Sequence, residues 1–309
     1  MDAIKVRGLR KSYGDNDAVR GIDFSVAVGE VVAMLGPNGA GKTTTVEILE
    51  GYRTRDAGDV SVLGIDPGAK DAGGLRERVG IVLQSGSFDG YLTVAEMVQL
   101  HSEYYLRPRA VDEVIALVGL DAKANARVKT LSGGQQRRLD VALGLIGDPE
   151  LLFLDEPTTG FDPGARRQSW ELVRNLAELG KTVLLTTHYM DEAQALADRL
   201  LVMSSGRIVA DGTPAALVDV DSEPTKIRFR ADSEPPPRLG FAREAPGVWA
   251  LATRDVSGVL YELTHWSRES GVDLLELSVA PPSLEDVYLR LVNAVGADSE
   301  PATVEGGAR

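Results

Sequence analysis

The run Gly36-Pro37-Asn38-Gly39-Ala40-Gly41-Lys42-Thr43 places glycines, a lysine and a hydroxyl at the spacing G-x-x-x-x-G-K-[ST]. This pattern suits the cradling of a polyphosphate. Glycines let backbone N–H groups approach phosphate oxygens, Lys42 reaches the β and γ phosphates, and the Thr43 hydroxyl is a ligand for Mg²⁺. A second group, Asp155 and Glu156, ends the apolar run Leu151-Leu152-Phe153-Leu154. Adjacent side chains diverge, so Asp155 can join a metal shell while Glu156 polarises a water aligned on the terminal phosphate. Alone, such acids are equally well explained as solvated or helix-capping groups; beside a phosphate loop they acquire a role. A third group, Leu131-Ser132-Gly133-Gly134-Gln135, precedes a helical stretch. Ser132 can cap that helix while its glycines bare N–H groups, an anion site without a lysine. In isolation it also reads as an ordinary loop-to-helix junction.

A phosphate loop needs a buried strand before it and a helix after it. Residues 31–35 are an unbroken apolar run, and residues 44–50, opening on Thr44, continue as a helix. Similar runs at 79–83, 151–154 and 182–186 alternate with helix-period stretches as far as Pro214. The expected fold class is therefore α/β, with a largely parallel sheet covered on both faces. Ligands of such sheets bind at the carboxyl ends of the strands, where residues 36–43 and 155–156 fall.

Residues 93–147 read instead as a helical insert, with Thr93 capping a helix to Leu106 and a second helix over 112–118. The strand-like Gly206-Arg207-Ile208-Val209-Ala210, followed by Gly212 and Pro214, closes a first domain taken as 1–220. Within 221–295, strands at 227–230 and 248–252 flank the proline-dense Ser233-Glu234-Pro235-Pro236-Pro237. A helix at 255–270, a strand at 274–279 and a helix at 284–292 complete a small α+β domain. The acidic, glycine-containing residues 296–309 are expected to be a disordered tail.

Zero cysteines exclude a disulfide framework, a thiolate metal site and cysteine catalysis. No apolar run approaches the ~18 residues of a membrane-spanning helix, and the first residues run straight into a strand pattern, so no secretory leader is expected. Cytoplasmic residence is the expectation. The net charge is −13, of which residues 221–309 carry −6. Without a basic footprint, nucleic acid is not the expected partner. His101 and His265 match no motif, and Trp170, Trp249 and Trp266 read as core or interface aromatics.

The order of these three groups resembles the ATP-binding-cassette (ABC) ATPases over about residues 3–215. Residues 36–43 resemble the Walker A loop, residues 151–155 the Walker B strand, and Leu131 to Gln135 the family signature. The resemblance implies a P-loop ABC ATPase fold with an antiparallel β edge and a helical subdomain, binding ATP and Mg²⁺. It further implies that Tyr13 stacks on adenine, that Gln84 is the Q-loop glutamine near Mg²⁺, that His188 is the switch histidine and that Asp162 is the D-loop aspartate. Phe161 stands before Asp162 where the family usually has leucine. Two copies would pair head to tail, so that Ser132 to Gln135 of one meet the γ-phosphate held by the other. The stretches Thr187-His188-Tyr189-Met190-Asp191-Glu192-Ala193 and Ser283-Leu284-Glu285-Asp286-Val287-Tyr288 resemble ABC-2-type exporter subunits, nearest to the daunorubicin-resistance type. The expected function is an ATPase that drives export of a drug, antibiotic or lipid-like substrate, peripheral to the cytoplasmic face of the membrane. It requires a separate transmembrane permease subunit, docking near 84–93 at Phe88, Tyr91 and Leu92. The C-terminal domain is expected to regulate or to stabilise the dimer. An importer subunit or a soluble, non-transport ABC ATPase is the alternative.

Overall fold

The computed structural model describes residues 1–82, 88–218, 224–281 and 283–297. The chain divides into two compact units, one built chiefly from residues 1–214 and the other from 215–291.

The first unit opens with the long strands β1 (Asp2–Tyr13) and β2 (Asn16–Ala27), followed by β3 (Val31–Leu35), α1 (Lys42–Leu49) and β4 (Ala57–Val62). After the short α2 (Gly73–Arg76) and β5 (Val79–Val82) comes the helical insert: α3 (Val94–Ser102), α4 (Val111–Leu117) and α5 (Gly133–Leu145). Then β6 (Leu151–Asp155), α6 (Pro163–Glu178), β7 (Thr182–Thr187), α7 (Met190–Leu196), β8 (Arg199–Ser204) and β9 (Arg207–Gly212) lead to the short α8 (Pro214–Leu217).

Six strands form one sheet in the order β5-β6-β7-β3-β8-β9, parallel except for β9, which pairs antiparallel with β8. All five residues of β3 and all six of β7 are buried, as strands covered on both faces must be. A separate antiparallel sheet, β2-β1-β4, has the half-buried alternation of an edge layer. Its Ile4, Leu9, Ile22, Phe24 and Val60 share one core cluster with Met34, Phe153, Leu184 and Leu201 of the six-stranded sheet.

The insert is fixed by capping. Thr93 accepts from the Glu96 N–H while the Glu96 carboxylate accepts from the Thr93 N–H, a reciprocal box at the start of α3. α3 ends at Ser102, not at Leu106. Tyr104 and Leu106 lie in turns and are largely exposed, so no packing favours continuing the helix.

In the second unit, β10 (Thr225–Arg230), β11 (Ala242–Ala245), β12 (Val248–Thr253), α9 (Val256–Ser270), β13 (Leu275–Ala280) and the part of α10 (Leu284–Ala297) up to Leu291 follow in sequence. Its antiparallel sheet runs β11-β12-β10-β13. Ile227, Phe229 and Trp249 from the sheet and Leu263 from α9 form its core, with Trp266 packed against it. α10 runs to Ala297, two residues into the stretch expected as tail; residues 298–309 lie outside the described residues.

Candidate nucleotide site

The phosphate loop, the acid pair and His188 follow β3, β6 and β7, three strands that neighbour one another in the sheet. Their carboxyl ends bring residues more than a hundred positions apart to one edge. At that edge lies a cavity of about 410 Å³ lined by Tyr13, Asn38, Gly39, Gly41, Lys42, Thr43, Thr44 and Glu156, among others.

Gly41 precedes α1 at φ 102°, in the left-handed region that disfavours any side chain. A Cβ there would stand 2.4 Å from the Ala18 carbonyl oxygen, and one on Gly36 would stand 2.5 Å from that of Met203. The loop is therefore closed by backbone approach. Gly36 and Ala40 are buried behind it, and Pro37 is exposed. No side chain caps α1, so its first N–H groups stay available to an incoming anion.

Lys42 is 5% exposed, and its Nζ donates to the carbonyls of Gly36 (2.7 Å) and Pro37 (3.2 Å) and lies 4.0 Å from Glu156 Oε1. Burial pulls its pKa down, opposed by the charges of Glu156 and Asp155. Tyr13, 41% exposed at the end of β1, has Arg53 5.2 Å and Lys11 5.5 Å from its ring centre.

Thr186, at the penultimate position of β7, organises the acids. Its hydroxyl donates to Asp155 Oδ1 (2.5 Å) and accepts from the Glu156 N–H (3.0 Å). Glu156 itself has φ 45°, uncommon for a non-glycine residue. Its Oε2 accepts from the Thr159 hydroxyl (2.9 Å), and its Oε1 lies 3.3 Å from His188 Nδ1. Behind the pair, the buried Arg137 of α5 donates to the carbonyls of Asp155 and Pro157, each at 3.1 Å. Burial lowers the Arg137 pKa, with Asp140 and Asp155 opposing. Arg137, Thr159 and Thr186 were not singled out from sequence. A threonine at a strand end, like Thr186, or in a turn, like Thr159, is too ordinary to mark, and Arg137 sits two residues beyond the signature where only the fold shows its target.

The signature residues lie elsewhere on the surface. Ser132 caps α5 and Gln135 returns the bond, a second reciprocal box. Leu131 is buried, whereas Ser132 and Gly133 are exposed. Together with Gly134, Phe161 and Asp162 they line a separate cavity of about 580 Å³. Asp162 caps α6, accepting from the N–H groups of Gly164 and Ala165, and this holds its carboxyl below the usual range. Gln84 lies outside the described residues. Of the three residues expected to dock a permease, Tyr91 is 73% exposed beneath Lys129, while Phe88 and Leu92 are half-buried. Among the described residues no cluster of three or more His, Cys, Asp or Glu is placed to hold a metal, and no helix is long and apolar enough to cross a membrane.

A phosphate loop, an acid pair with a histidine, and a separate serine-capped signature define a nucleotide-hydrolysing cassette. The family described as ABC transporter matches residues 19–159. The Nod factor export ATP-binding protein I of Rhizobium sp. (strain N33) is 42% identical over 301 residues, covering 94% of this chain and 96% of that protein. Its counterpart in Burkholderia orbicola (strain AU 1054) is 41% identical, covering 93% and 96%. Among solved structures, cbiO1 from Clostridium perfringens, part of the ABC transporter complex cbiONQ, superposes with a TM-score of 0.64 at 29% identity, over 70% of this chain and 90% of that one. A dimeric ATP-binding cassette in a post-hydrolysis state with ADP and Pi gives 0.61 at 26% identity, over 68% and 98%. The chain belongs to the ATP-binding subunits of ABC transporters, and it is an ATPase.

Proposed function

We propose that this ATPase powers outward transport of a drug, antibiotic or lipid-like substrate through a separate transmembrane subunit. It works as a head-to-tail pair at the cytoplasmic face of the membrane. The observation that carries the hydrolytic part is the convergence of Lys42 Nζ and His188 Nδ1 on Glu156 Oε1, at 4.0 and 3.3 Å, beside the 410 Å³ cavity. The export part is supported by the relatives' names, which assign them to Nod factor export. Those names favour an exporter over an importer and bring no support for the daunorubicin-resistance branch in particular.

Residues 36–44 hold the phosphates, with Lys42 supplying charge where the amides supply direction. Tyr13 offers its exposed ring to adenine. The donor set fits a hard cation: a hydroxyl on the cavity wall at Thr43 and a strand-end carboxylate at Asp155; Gln84, the third group the family resemblance implies, lies outside the described residues. A magnesium ion held by these residues would neutralise phosphate charge. Glu156 takes the proton of the attacking water, and His188 steers the carboxylate through Oε1. Ser132, Gly133, Gly134 and Gln135 of a second copy complete the γ-phosphate site, with Asp162 beside them. Residues 221–295 form the domain that stabilises or regulates this pair.

Glu156→Gln tests the reading, because the amide keeps the shape and lacks the basicity. With ATP and Mg²⁺ the variant is expected to elute as a nucleotide-containing dimer with turnover reduced about 100-fold or more. From membranes, it is expected to co-purify with a multi-spanning protein. A monomer that has bound ATP overturns the head-to-tail arrangement. Recovery without any membrane protein overturns the separate-subunit reading.

A further inference from the structure

Glu192 lies on α7, one turn beyond His188, and is 0% exposed. Its Oε1 accepts from the Thr158 hydroxyl at 2.7 Å and from the Trp170 indole N–H at 3.3 Å. Its Oε2 is buried with no partner at hydrogen-bonding geometry. Thr158, itself 1% exposed, stands on the segment that joins Glu156 to Asp162, and Trp170 stands on the helix that Asp162 caps. One carboxyl thus ties together the turn bearing His188, the segment leaving Glu156 and α6.

A buried carboxyl is a costly way to fill space, and its neighbours on α7, Ala193 and Leu196, do the same filling with apolar groups. Burial raises the Glu192 pKa, against the pull of the Thr187 and Thr158 hydroxyls, the Trp170 N–H and the charge of Arg166. What the carboxyl supplies that an apolar side chain would not is a fixed acceptor for two segments at once.

We propose that Glu192 is a positioning residue for ATP hydrolysis, its bonds to Thr158 and Trp170 holding the His188 turn in register with the segment from Glu156 to Asp162. The proposal rests on the reading that Glu156 and His188 act on the attacking water. Glu192 is fully buried and does not line the 410 Å³ cavity. It acts through the 3.3 Å approach of His188 to Glu156, and misplacement of about 1 Å at such a contact costs up to ~100-fold in rate.

The test uses the full chain and steady-state ATP hydrolysis. Glu192→Ala is expected to lower kcat about 10-fold or more with the KM for ATP within about twofold, since the phosphate loop is untouched. Glu192→Gln, whose amide oxygen still accepts both bonds, is expected to restore kcat to within about threefold of native. Thr158→Val removes one donor without changing volume and is the arbiter if Glu192→Ala fails to fold. It is expected to lower kcat, and its loss is expected not to add to that of Glu192→Ala. Native kcat in Thr158→Val, equal losses in Gln and Ala, or a rise in KM matching the fall in kcat would each overturn the proposal. In Glu156→Gln the added Glu192→Ala is expected to change nothing. Native turnover in Glu156→Gln alone would instead overturn the underlying reading.

Discussion

Two glycine-bearing helix starts, residues 36–43 before α1 and residues 131–135 before α5, use the same elementary device with opposite completeness. α1 carries no side-chain cap, so its first N–H groups remain unspent, and Lys42 is locked beside them by two carbonyls. α5 has already committed the Gln135 N–H to the Ser132 hydroxyl, and its glycines face solvent or lie half-exposed. One start is furnished to hold a polyphosphate alone. The other offers dipole and N–H groups and no lysine, an incomplete site of the kind the proposed head-to-tail pairing would finish.

The largest expected effect breaks the complete member. Lys42→Ala removes a buried cation flanked by the charges of Glu156 and Asp155, and ATP affinity is expected to fall about a hundredfold or more. Titration with a fluorescent nucleotide reads this directly. Near-native affinity would mean that the amides of α1 suffice, and the contrast with α5 would then vanish.

Ser132→Ala is the smaller, complementary change. It removes a cap worth about 1 kcal/mol to α5 and is expected to leave nucleotide affinity within about twofold of native while turnover falls about 10-fold. A head-to-tail pair has a sharper consequence. Mixing Lys42→Ala with Ser132→Ala generates mixed dimers in which one composite site has both an intact phosphate loop and an intact signature. Activity of the mixture is expected to approach about a quarter of native by random pairing, above either variant alone. Activity no greater than the mean of the two separate variants would show that the loops do not meet across copies.

The contiguous groups were legible because their chemistry is written within a few residues and within one turn of a strand or helix. Residues 36–43, the acids after residues 151–154 and the Ser132 cap need no knowledge of partners. Distance along the chain hid the rest. Nothing in the spacing sets β7 between β6 and β3, yet that order alone brings Thr186 onto Asp155 and His188 onto Glu156. The pairing of β1 with β4 spans an entire strand-loop-helix unit and is invisible to local periodicity. Arg137 and Glu192 look like ordinary helical charges until the fold buries them. α6 had a readable start, Asp162 followed by Pro163 at the first helical position, but the aspartate was read only through its resemblance to the D-loop.

The smallest effect concerns what lies away from the two anion loops. Glu50 caps the carboxyl end of α1, Asp140 lies on α5, and both line a third cavity of about 320 Å³ together with Arg76 and His101. Asp140, pushed up to about 6 by burial, has Arg137 at 3.7 Å to oppose the shift. Glu50 is 6% exposed and is pushed from 4.5 to about 8, first by burial and then by the charges of Asp155 and Glu47. Between those two values the folded chain keeps a proton that the unfolded chain releases. Stability therefore falls as pH rises through the window, by up to about 1.4 kcal/mol per pH unit for this one group. Glu50→Gln replaces the protonated acid with a neutral isostere and deletes that slope. Urea midpoints at pH 5, 6.5 and 8 are expected to show the variant gaining on the native chain as pH rises, while ATP affinity stays within about twofold because the phosphate loop lies at the opposite end of α1. Parallel pH profiles for the two proteins would show that Glu50 ionises in its cavity at no cost, and α1 would then differ from α5 only in its phosphate-binding end.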